Sequence, residues 1–162
     1  MSVLIRAATA DDAALLLALI RELATYERLP HAVVATEETI TESLFGPKAV
    51  AEALIAETEK GPVGYAIFFA NFSTFLGRAG IYLEDIFVRP EMRGQGIGKR
   101  LFAEVAKRAA ERGCQRLDWS VLDWNEPSIK FYQSLGAEPL DAWTTYRMKR
   151  EAIERLAATV NE

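Results

Sequence analysis

Cysteine and histidine are almost absent from the 162-residue sequence, which contains one of each, Cys114 and His31. A single cysteine excludes an intrachain disulfide, and its place in the turn-like run Arg112-Gly-Cys-Gln gives no reason to treat it as a nucleophile. A single histidine excludes a two-histidine metal site, and a serine-protease-type triad would need that one residue. We therefore expect neither disulfide chemistry nor a resident metal ion.

Long apolar runs are also absent. No stretch approaches the ~20 apolar residues needed to cross a bilayer, and the N-terminal run Met1-Ser-Val-Leu-Ile-Arg lacks the features of a signal peptide. Net charge is −4, from 19 Lys+Arg and 23 Asp+Glu, which argues against a nucleic-acid surface. With so little cysteine, these features predict a cytoplasmic protein that binds neither membrane nor nucleic acid.

The patterning predicts an α/β fold. Half of the residues are hydrophobic, and the length suits a single domain spanning 1–162. Apolar alternation and turn signals predict strands at 3–6, 49–57, 63–70, 80–88, 116–122 and 143–148, with 71–78 as a loop. Apolar periodicity and caps predict helices at 9–28, 36–45, 98–112, 125–136 and 150–158. The order β-α-α-β-β-β-α-β-α-β-α predicts a mixed, mostly antiparallel sheet with flanking helices.

The most informative segment is 83–101, where a strand, a glycine-rich loop and a helix follow one another. Gly94, Gly96 and Gly98 stand at alternate positions before the helix, and without Cβ atoms their N–H groups can turn toward one point. The helix dipole adds positive potential there, and Arg93 and Lys99 add charge. A pyrophosphate is the natural ligand of such a loop.

Three other interpretations of this loop are open, and its spacing weakens the two that involve nucleotide binding. Such glycines can simply form a tight turn. A dinucleotide-binding fold would place its first glycine almost at the strand end, whereas residues 89–93 intervene here. A P-loop requires Gly-Lys-Ser/Thr, but Lys99 is followed by Arg100.

The run from Val88 to Lys99, VRPEMRGQGIGK, resembles the acetyl-CoA signature of GNAT N-acetyltransferases, Arg/Gln-x-x-Gly-x-Gly/Ala. Segments 5–12, 22–27, 82–88 and 124–132 look like the diamine (spermidine/spermine) and thialysine acetyltransferase branch of that family. The resemblance covers nearly the whole chain, in order. It implies the GNAT fold, acetyl-CoA as acetyl donor, a small amine as acceptor and, by analogy, a homodimer.

The resemblance also implies roles for particular residues. The strand that carries the acetyl group is expected to splay from its neighbour, exposing backbone N–H groups that polarise the thioester carbonyl. Tyr132 aligns with the tyrosine that protonates the departing CoA thiolate, and Glu84 with the acid near the amine. The implied acetyl-CoA contacts are Ile86, Phe87, Val88, Arg93, Gly94, Gln95, Gly96, Ile97, Gly98, Lys99, Asn125, Pro127, Ser128 and Tyr132.

Amine chemistry requires a proton acceptor whatever the family. An alkyl ammonium has a pKa of about 10.4 and attacks a thioester only after losing its proton. Glu84 or Asp85 could take that proton, directly or through water, and strand alternation predicts that only one of them points into the cleft. The candidate substrate contacts are Tyr26, Glu27, Glu84, Asp85 and Asp141.

Five of the candidate residues also have a purely structural interpretation. Glu84 and Asp85 could be solvated acids, and Tyr132 could be a core residue. Tyr26 and Glu27 could form an ordinary helix end. Two departures from the branch concern the acceptor. Phe75 stands near the position of a typical tryptophan, and a shortened segment after Gly136 makes Asp141 a loose match. A lysine-like amine such as thialysine therefore competes with a polyamine.

Two functions from other classes remain as alternatives. One is a protein acetyltransferase acting on lysine side chains or N-termini, which would want an open groove for a peptide. The other is a non-catalytic regulator that binds CoA on the same fold.

Overall fold

Five strands form one open sheet, in the order β1-β2-β3-β4-β5, in a computed structural model that describes residues 2–161. The strands are β1 (Val3–Ala7), β2 (Glu52–Thr58), β3 (Gly61–Ser73), β4 (Arg78–Val88) and β5 (Leu117–Asp118). The first four pair antiparallel, while β4 and β5 pair in parallel. The mixed, mostly antiparallel sheet expected from the sequence is confirmed.

Residues 2–161 form five α-helices. They are α1 (Ala13–Tyr26), α2 (Glu37–Phe45), α3 (Ile97–Glu111), α4 (Glu126–Ser134) and α5 (Arg150–Ala158). The start of α2 follows from its cap, since the Thr36 hydroxyl accepts from the Thr39 N–H at 3.2 Å and removes one of the unpaired N–H groups of the first turn. The chain separates into a unit of residues 1–122, which holds the sheet and α1 to α3, and a second unit of residues 123–162.

One face of the sheet packs against α1 and α2. Alternate residues of β2 and β3, including Ile55, Tyr65 and Ile67, share a buried cluster with Leu16 and Leu19 of α1. Fully burying side chains of this size stabilises the fold by about 1.5–3 kcal/mol each. This face is where the helix end at Tyr26 approaches β4.

The opposite face packs against α3. Leu101 and Val105 of this helix are fully buried, and α3 contacts both β3 and β4. Intervening strand residues such as Leu54, Ala66 and Phe68 point to this side because side chains alternate along a strand. The position of α3 fixes where its N-terminus, and the glycine loop before it, meet the end of β4.

The predicted loop at 71–78 is wrong for half of its length. Strands β3 and β4 continue through it, pairing Asn71 with Gly80 and Ser73 with Arg78, so that only 74–77 form the turn. The polar composition suggested a loop, but ladder pairing with a neighbouring strand satisfies the backbone at these positions. Phe75 lies at the tip of this hairpin and is 99% exposed.

Two predicted strands also need correction. The strand expected at 116–122 is reduced to Leu117–Asp118, because its pairing with β4 stops there. The strand expected at 143–148 is wrong: these residues have no strand assignment, and all are exposed. Alternating apolar residues favour a strand only where another strand offers backbone partners, and none pairs with 143–148 in the part of the chain described.

Candidate active site

The glycine loop presents its backbone at the start of α3. Gly94 and Gly96 both have φ of +75°, and Gly96 is the residue that caps the helix. A Cβ atom built on either glycine meets nothing within 4 Å, so the space beside the loop is open to a ligand. The first N–H groups of α3 have no acceptor within the helix. This geometry suits a phosphate group held by backbone N–H donors.

The remaining predicted loop residues differ in exposure. Arg93, Gln95 and Lys99 are exposed, whereas the Ile97 side chain is 1% exposed and packs into the core. The Ile97 side chain therefore anchors the helix start, and only its backbone faces the loop. Gly98 is the second residue of α3, inside the first helical turn.

Arg93 joins the loop to two other elements. Its Nε donates to the Val88 carbonyl oxygen at 2.9 Å, and its guanidinium carbon lies 4.4 Å from the centre of the Tyr26 ring. It also lies 5.7 Å from the Phe87 ring centre. Contacts of this kind between a guanidinium and an aromatic face are attractive. Arg93, predicted to contact acetyl-CoA, and Tyr26, predicted to contact the amine, are thus direct neighbours.

The edge of β4 toward β5 is unpaired beyond its first half. Pairing with β5 involves only Ile81 and Tyr82. On the other side the Arg89 N–H donates to the Val63 carbonyl oxygen at 2.9 Å, and the antiparallel alternation then turns the backbone groups of Ile86 and Val88 toward the β5 side. The edge of β4 that carries Ile86 and Val88 therefore has no strand partner within the described residues, and the splay that the family resemblance implies stays a prediction.

A β-bulge lies at the acidic pair. Ile67 pairs with Asp85 and Phe68 pairs with Leu83, which leaves Glu84 as the extra residue of β4. The insertion interrupts the regular alternation, so Leu83 and Asp85 face opposite sides although they are two positions apart. Strand alternation therefore does not determine which way Glu84 points relative to Asp85, and the expectation that only one of the two acids faces the cleft stays a prediction.

Asp85 is the more buried of the two acids. Glu84 is exposed and Asp85 is half-buried, on the face that carries Tyr65 and Phe87. The Tyr65 hydroxyl donates to Asp85 Oδ2 at 2.9 Å. Burial raises the pKa of Asp85 to about 6, the hydrogen bond from Tyr65 opposes that rise, and the charges of Glu84 and Glu27 add to it.

The end of α1 supplies a third acid. Tyr26 is its last residue and Glu27 its C-cap, and both are half-buried. Burial raises the pKa of Glu27, and the charge of this residue acts on Asp85. The structure therefore brings Glu27, Glu84 and Asp85 together at one end of the sheet. None of the three forms a salt bridge with a lysine or arginine within residues 2–161.

Residues 123–162 form a unit of their own and carry the other predicted residues. The Asn125 side chain caps α4 by accepting from the Ser128 N–H at 3.4 Å, and Pro127 stands in the first turn, where its missing N–H costs nothing. Tyr132 is half-buried on α4, with its ring 5.6 Å from that of Phe131. Asp141 lies in an exposed turn.

The contact between Tyr65 and Asp85 is one that the sequence did not indicate. The Tyr65 ring is fully buried, and Tyr65 lies twenty positions before Asp85 in the chain. Burial and the Asp85 charge raise the pKa of Tyr65 far above its ordinary range, so its hydroxyl stays protonated and acts as a donor. The only available signal was register, because a hairpin between 63–70 and 80–88 brings such positions together.

The fold and the loop place the chain in a known family. The model of the acetyltransferase (GNAT) family matches residues 16–137. The chain belongs to this family and is an acetyltransferase. The expected resemblance to its diamine and thialysine branch is confirmed by a thialysine N-epsilon-acetyltransferase of Bos taurus, 41% identical over 96% of this chain and 97% of its own length.

Other relatives extend the picture. An L-ornithine N5-acetyltransferase of Arabidopsis thaliana is 29% identical over 94% of this chain and 86% of its own. The solved structure of an integron cassette protein from V. cholerae matches with a TM-score of 0.80 at 28% identity, covering 97% of this chain and 98% of that one. The GNAT fold expected from the sequence is confirmed by these matches and by the sheet.

The described residues show neither a metal-binding cluster nor a membrane-spanning helix. Among residues 2–161 no group of three or more histidine, cysteine, aspartate or glutamate side chains has a geometry that could hold a metal ion. No helix in the same range is long and apolar enough to span a membrane.

Proposed function

We propose that this acetyltransferase moves an acetyl group from acetyl-CoA directly to a primary amine of a small cationic substrate, either a polyamine or diamine or a lysine-like amine such as thialysine. One observation carries the proposal. Strand β4 turns the N–H groups of Ile86 and Val88 toward an edge where no strand of residues 2–161 pairs with them, and the acids Glu84 and Asp85 lie beside that edge. The thioester would lie along this edge and the amine beside the acids, so that the amine nitrogen can reach the acetyl carbon.

Acetyl-CoA fits the loop that follows the strand. Gly94 and Gly96 leave open space where side chains would otherwise stand, and the start of α3 offers N–H donors and the positive end of its dipole to the pyrophosphate. Arg93 and Lys99 add positive charge. The Ile86 and Val88 N–H groups would then donate to the thioester carbonyl oxygen, where negative charge develops as the amine attacks.

The three acids favour a cationic acceptor. Glu27, Glu84 and Asp85 form no salt bridges within residues 2–161, although Asp85 and Glu27 are half-buried. Burying unpaired carboxylates is costly, and an ammonium group of the substrate would offset that cost. Tyr26 and Asp141 remain candidate contacts for the rest of the substrate.

The reaction requires two proton transfers. The amine nitrogen attacks the acetyl carbon, the carbon–sulfur bond breaks, and an amide forms as the thiolate departs. Glu84 receives the amine proton, directly or through one water molecule, and Tyr132 donates its hydroxyl proton to the thiolate. No acetyl-enzyme is needed, since Cys114 lies after α3, away from the loop sequence.

The names of the relatives bear on the acceptor. Those from Bos taurus and Arabidopsis thaliana are named for acetylation of thialysine and of ornithine. These names favour an amino acid that carries a side-chain amine. The matched family segment, 16–137, includes residues of both structural units, which supports the proposal that 1–162 act as one catalytic domain with Asn125, Pro127, Ser128 and Tyr132 contributing to the acetyl-CoA site.

An acceptor panel tests this function. The full-length protein with acetyl-CoA should be given polyamines, diamines, thialysine, lysine, ornithine and lysine-containing peptides, and free thiol should be measured. We expect thiol release with at least one small amine, at a kcat/KM well above that for any peptide. Preference for peptides would favour a protein acetyltransferase, and binding of acetyl-CoA without transfer to any amine would favour a CoA-binding regulator.

Two expectations stay predictions: a cytoplasmic location and a homodimer. The family analogy supports the dimer. Sedimentation of the full-length protein would test it, and a monomer at micromolar concentration would contradict it.

A further inference from the structure

The Tyr65 hydroxyl and the Asp85 carboxylate form an isolated pair at the bulge of β4. Tyr65 is fully buried, and its hydroxyl donates to Asp85 Oδ2 at 2.9 Å. Among residues 2–161, no second hydrogen-bond donor to the Asp85 carboxylate is found. A carboxylate offers about four lone-pair positions, so Oδ1 remains available to another donor.

A purely structural explanation would make Asp85 the acceptor that a buried tyrosine needs. A backbone carbonyl would serve that need without burying a charge. Here the acceptor is an acid whose burial opposes its ionisation, with Glu84 and Glu27 adding negative charge nearby. Three acids with one neutral donor form an arrangement that a cation would complete.

We propose that Tyr65 is a positioning residue for the amine: its hydroxyl holds one oxygen of Asp85 so that the other faces the ammonium group of the acceptor. This inference rests on the proposed function and extends it to a residue outside the sequence-predicted site. Tyr65 touches neither substrate nor acetyl-CoA. It acts through Asp85, by fixing the orientation of the carboxylate and by favouring its ionised form.

The charged groups around Asp85 determine the direction in which its pKa changes when the Tyr65 hydroxyl is removed. Glu84 comes from the same strand, Glu27 from the end of α1, and the Tyr65 hydroxyl from β3; the charge of each acid raises the pKa of Asp85, whereas the hydroxyl lowers it. The guanidinium of Arg93, which stacks on Tyr26 at this face, is engaged by Val88 and Tyr26. Removing the hydroxyl therefore raises the pKa of Asp85.

The test compares Tyr65→Phe with Tyr82→Phe, which removes a hydroxyl bonded to Ser120 at 2.8 Å on the same sheet. The Asp85 carboxyl carbon is followed by NMR in the full-length ¹³C-aspartate-labelled protein and assigned by its loss in Asp85→Asn. We expect Tyr65→Phe to raise the Asp85 midpoint by about one pH unit, from the loss of one hydrogen bond to a charged group. Tyr82→Phe should leave it in place.

The pH profile of kcat/KM for the amine supplies the second readout. Its acidic limb should move to higher pH in Tyr65→Phe by the same amount, while Tyr82→Phe follows wild type. In an Asp85→Asn background the further change Tyr65→Phe should have no effect on the profile. A merely structural tyrosine would lower activity equally at every pH.

An unchanged Asp85 midpoint in Tyr65→Phe would overturn the inference, and so would a moved midpoint with an unmoved profile. A wild-type protein that acetylates no amine would instead overturn the proposed function. In that case the Asp85 signal decides the inference alone: it should respond to added thialysine or spermidine in wild type and respond less in Tyr65→Phe, and an equal response would overturn it.

Discussion

The guanidinium of Arg93 stacks on the ring of Tyr26, 4.4 Å from its centre, and the Nε of the same residue binds the Val88 carbonyl oxygen at 2.9 Å. One side chain thus connects the glycine loop, the end of α1 and the end of β4. Because Arg93 precedes the loop that would hold the pyrophosphate, these contacts would set the shape of the proposed acetyl-CoA site and bring it next to the candidate amine site.

Replacing Arg93 should therefore impair acetyl-CoA binding first. Arg93→Lys keeps the charge but loses the donation to Val88, and we expect the KM for acetyl-CoA to rise about tenfold, the effect of losing one charge-assisted hydrogen bond. The control is Arg112→Lys, which disrupts a two-pronged ion pair with Glu52 at the far end of α3. Steady-state kinetics with varied acetyl-CoA checks both, and equal KM values for the two variants would contradict the assignment.

Gly96→Ala should weaken acetyl-CoA binding and also strain the backbone. Gly96 has φ of +75°, where a Cβ costs about 1 kcal/mol, and that Cβ would stand in the space proposed for phosphate. The control is Gly77→Ala in the β3–β4 turn, with φ of +61° and equally open space. We expect similar losses of unfolding free energy in urea, but a raised acetyl-CoA KM only for Gly96→Ala. A KM that rises in neither variant would place the cofactor elsewhere.

The acidic pair should control the pH dependence of the rate. Glu84→Gln removes the proposed proton acceptor, and because a larger fraction of the amine is protonated at lower pH, the rate should fall most there. The pH–rate profile measures this, with Glu91→Gln, an exposed acid just beyond the strand, as control. An unchanged profile in Glu84→Gln would indicate that Asp85 or water accepts the proton.

Folding stability should report the raised pKa of Asp85. The group has a pKa of about 6 in the folded chain against 3.8 ordinarily, so the folded state holds its proton more tightly than the unfolded state. The contribution of Asp85 to the free energy of unfolding is therefore fully present below about pH 4, and it is lost as the pH rises through 6. Relative to wild type, Asp85→Asn should gain about 2 kcal/mol of unfolding free energy between pH 4 and pH 7.

Asp12 provides the opposite case for the same measurement. Its ion pair with Arg6 lowers its pKa to about 2, so its contribution is present above about pH 4 and is lost as pH falls toward 2. Asp12→Asn should thus be most damaging at neutral pH. Urea titrations at several pH values check both variants, and a parallel pH dependence of the two would contradict the Asp85 prediction.

Tyr132→Phe should reduce turnover without unfolding the protein. Loss of a positioned acid costs about 100-fold in kcat or more, at saturating substrates and across pH. Tyr146→Phe is the matched control, since Tyr146 is 92% exposed in the same unit. Turnover equal to wild type in Tyr132→Phe would show that another group protonates the thiolate.

The glycine loop and the helix that follows it, the proposed acetyl-CoA site, could be predicted because their signals are local. Three alternate glycines, an Arg before them and an apolar stripe after them determine a turn and a helix start within 20 residues. The same holds for the Thr36 cap of α2. Such features depend on neighbours in the chain, which a sequence displays directly.

The features that the sequence left undetermined depend on distant residues. The bulge at Glu84 arises from the register between β3 and β4, and the Tyr65–Asp85 hydrogen bond follows from that register. The segment 143–148 carries the alternation of a strand, yet without a pairing partner it forms none. Each case needs knowledge of which strand lies alongside, and composition does not supply it.

The balance of products tests the central claim most directly. The full-length protein is incubated with acetyl-CoA and thialysine or spermidine, and free thiol and N-acetylated amine are quantified in the same sample. Direct transfer predicts one N-acetylated amine for each thiol released, and no thiol release beyond the blank when the amine is omitted. Bound acetyl-CoA with no acetylated product from any small primary amine would contradict the proposed function.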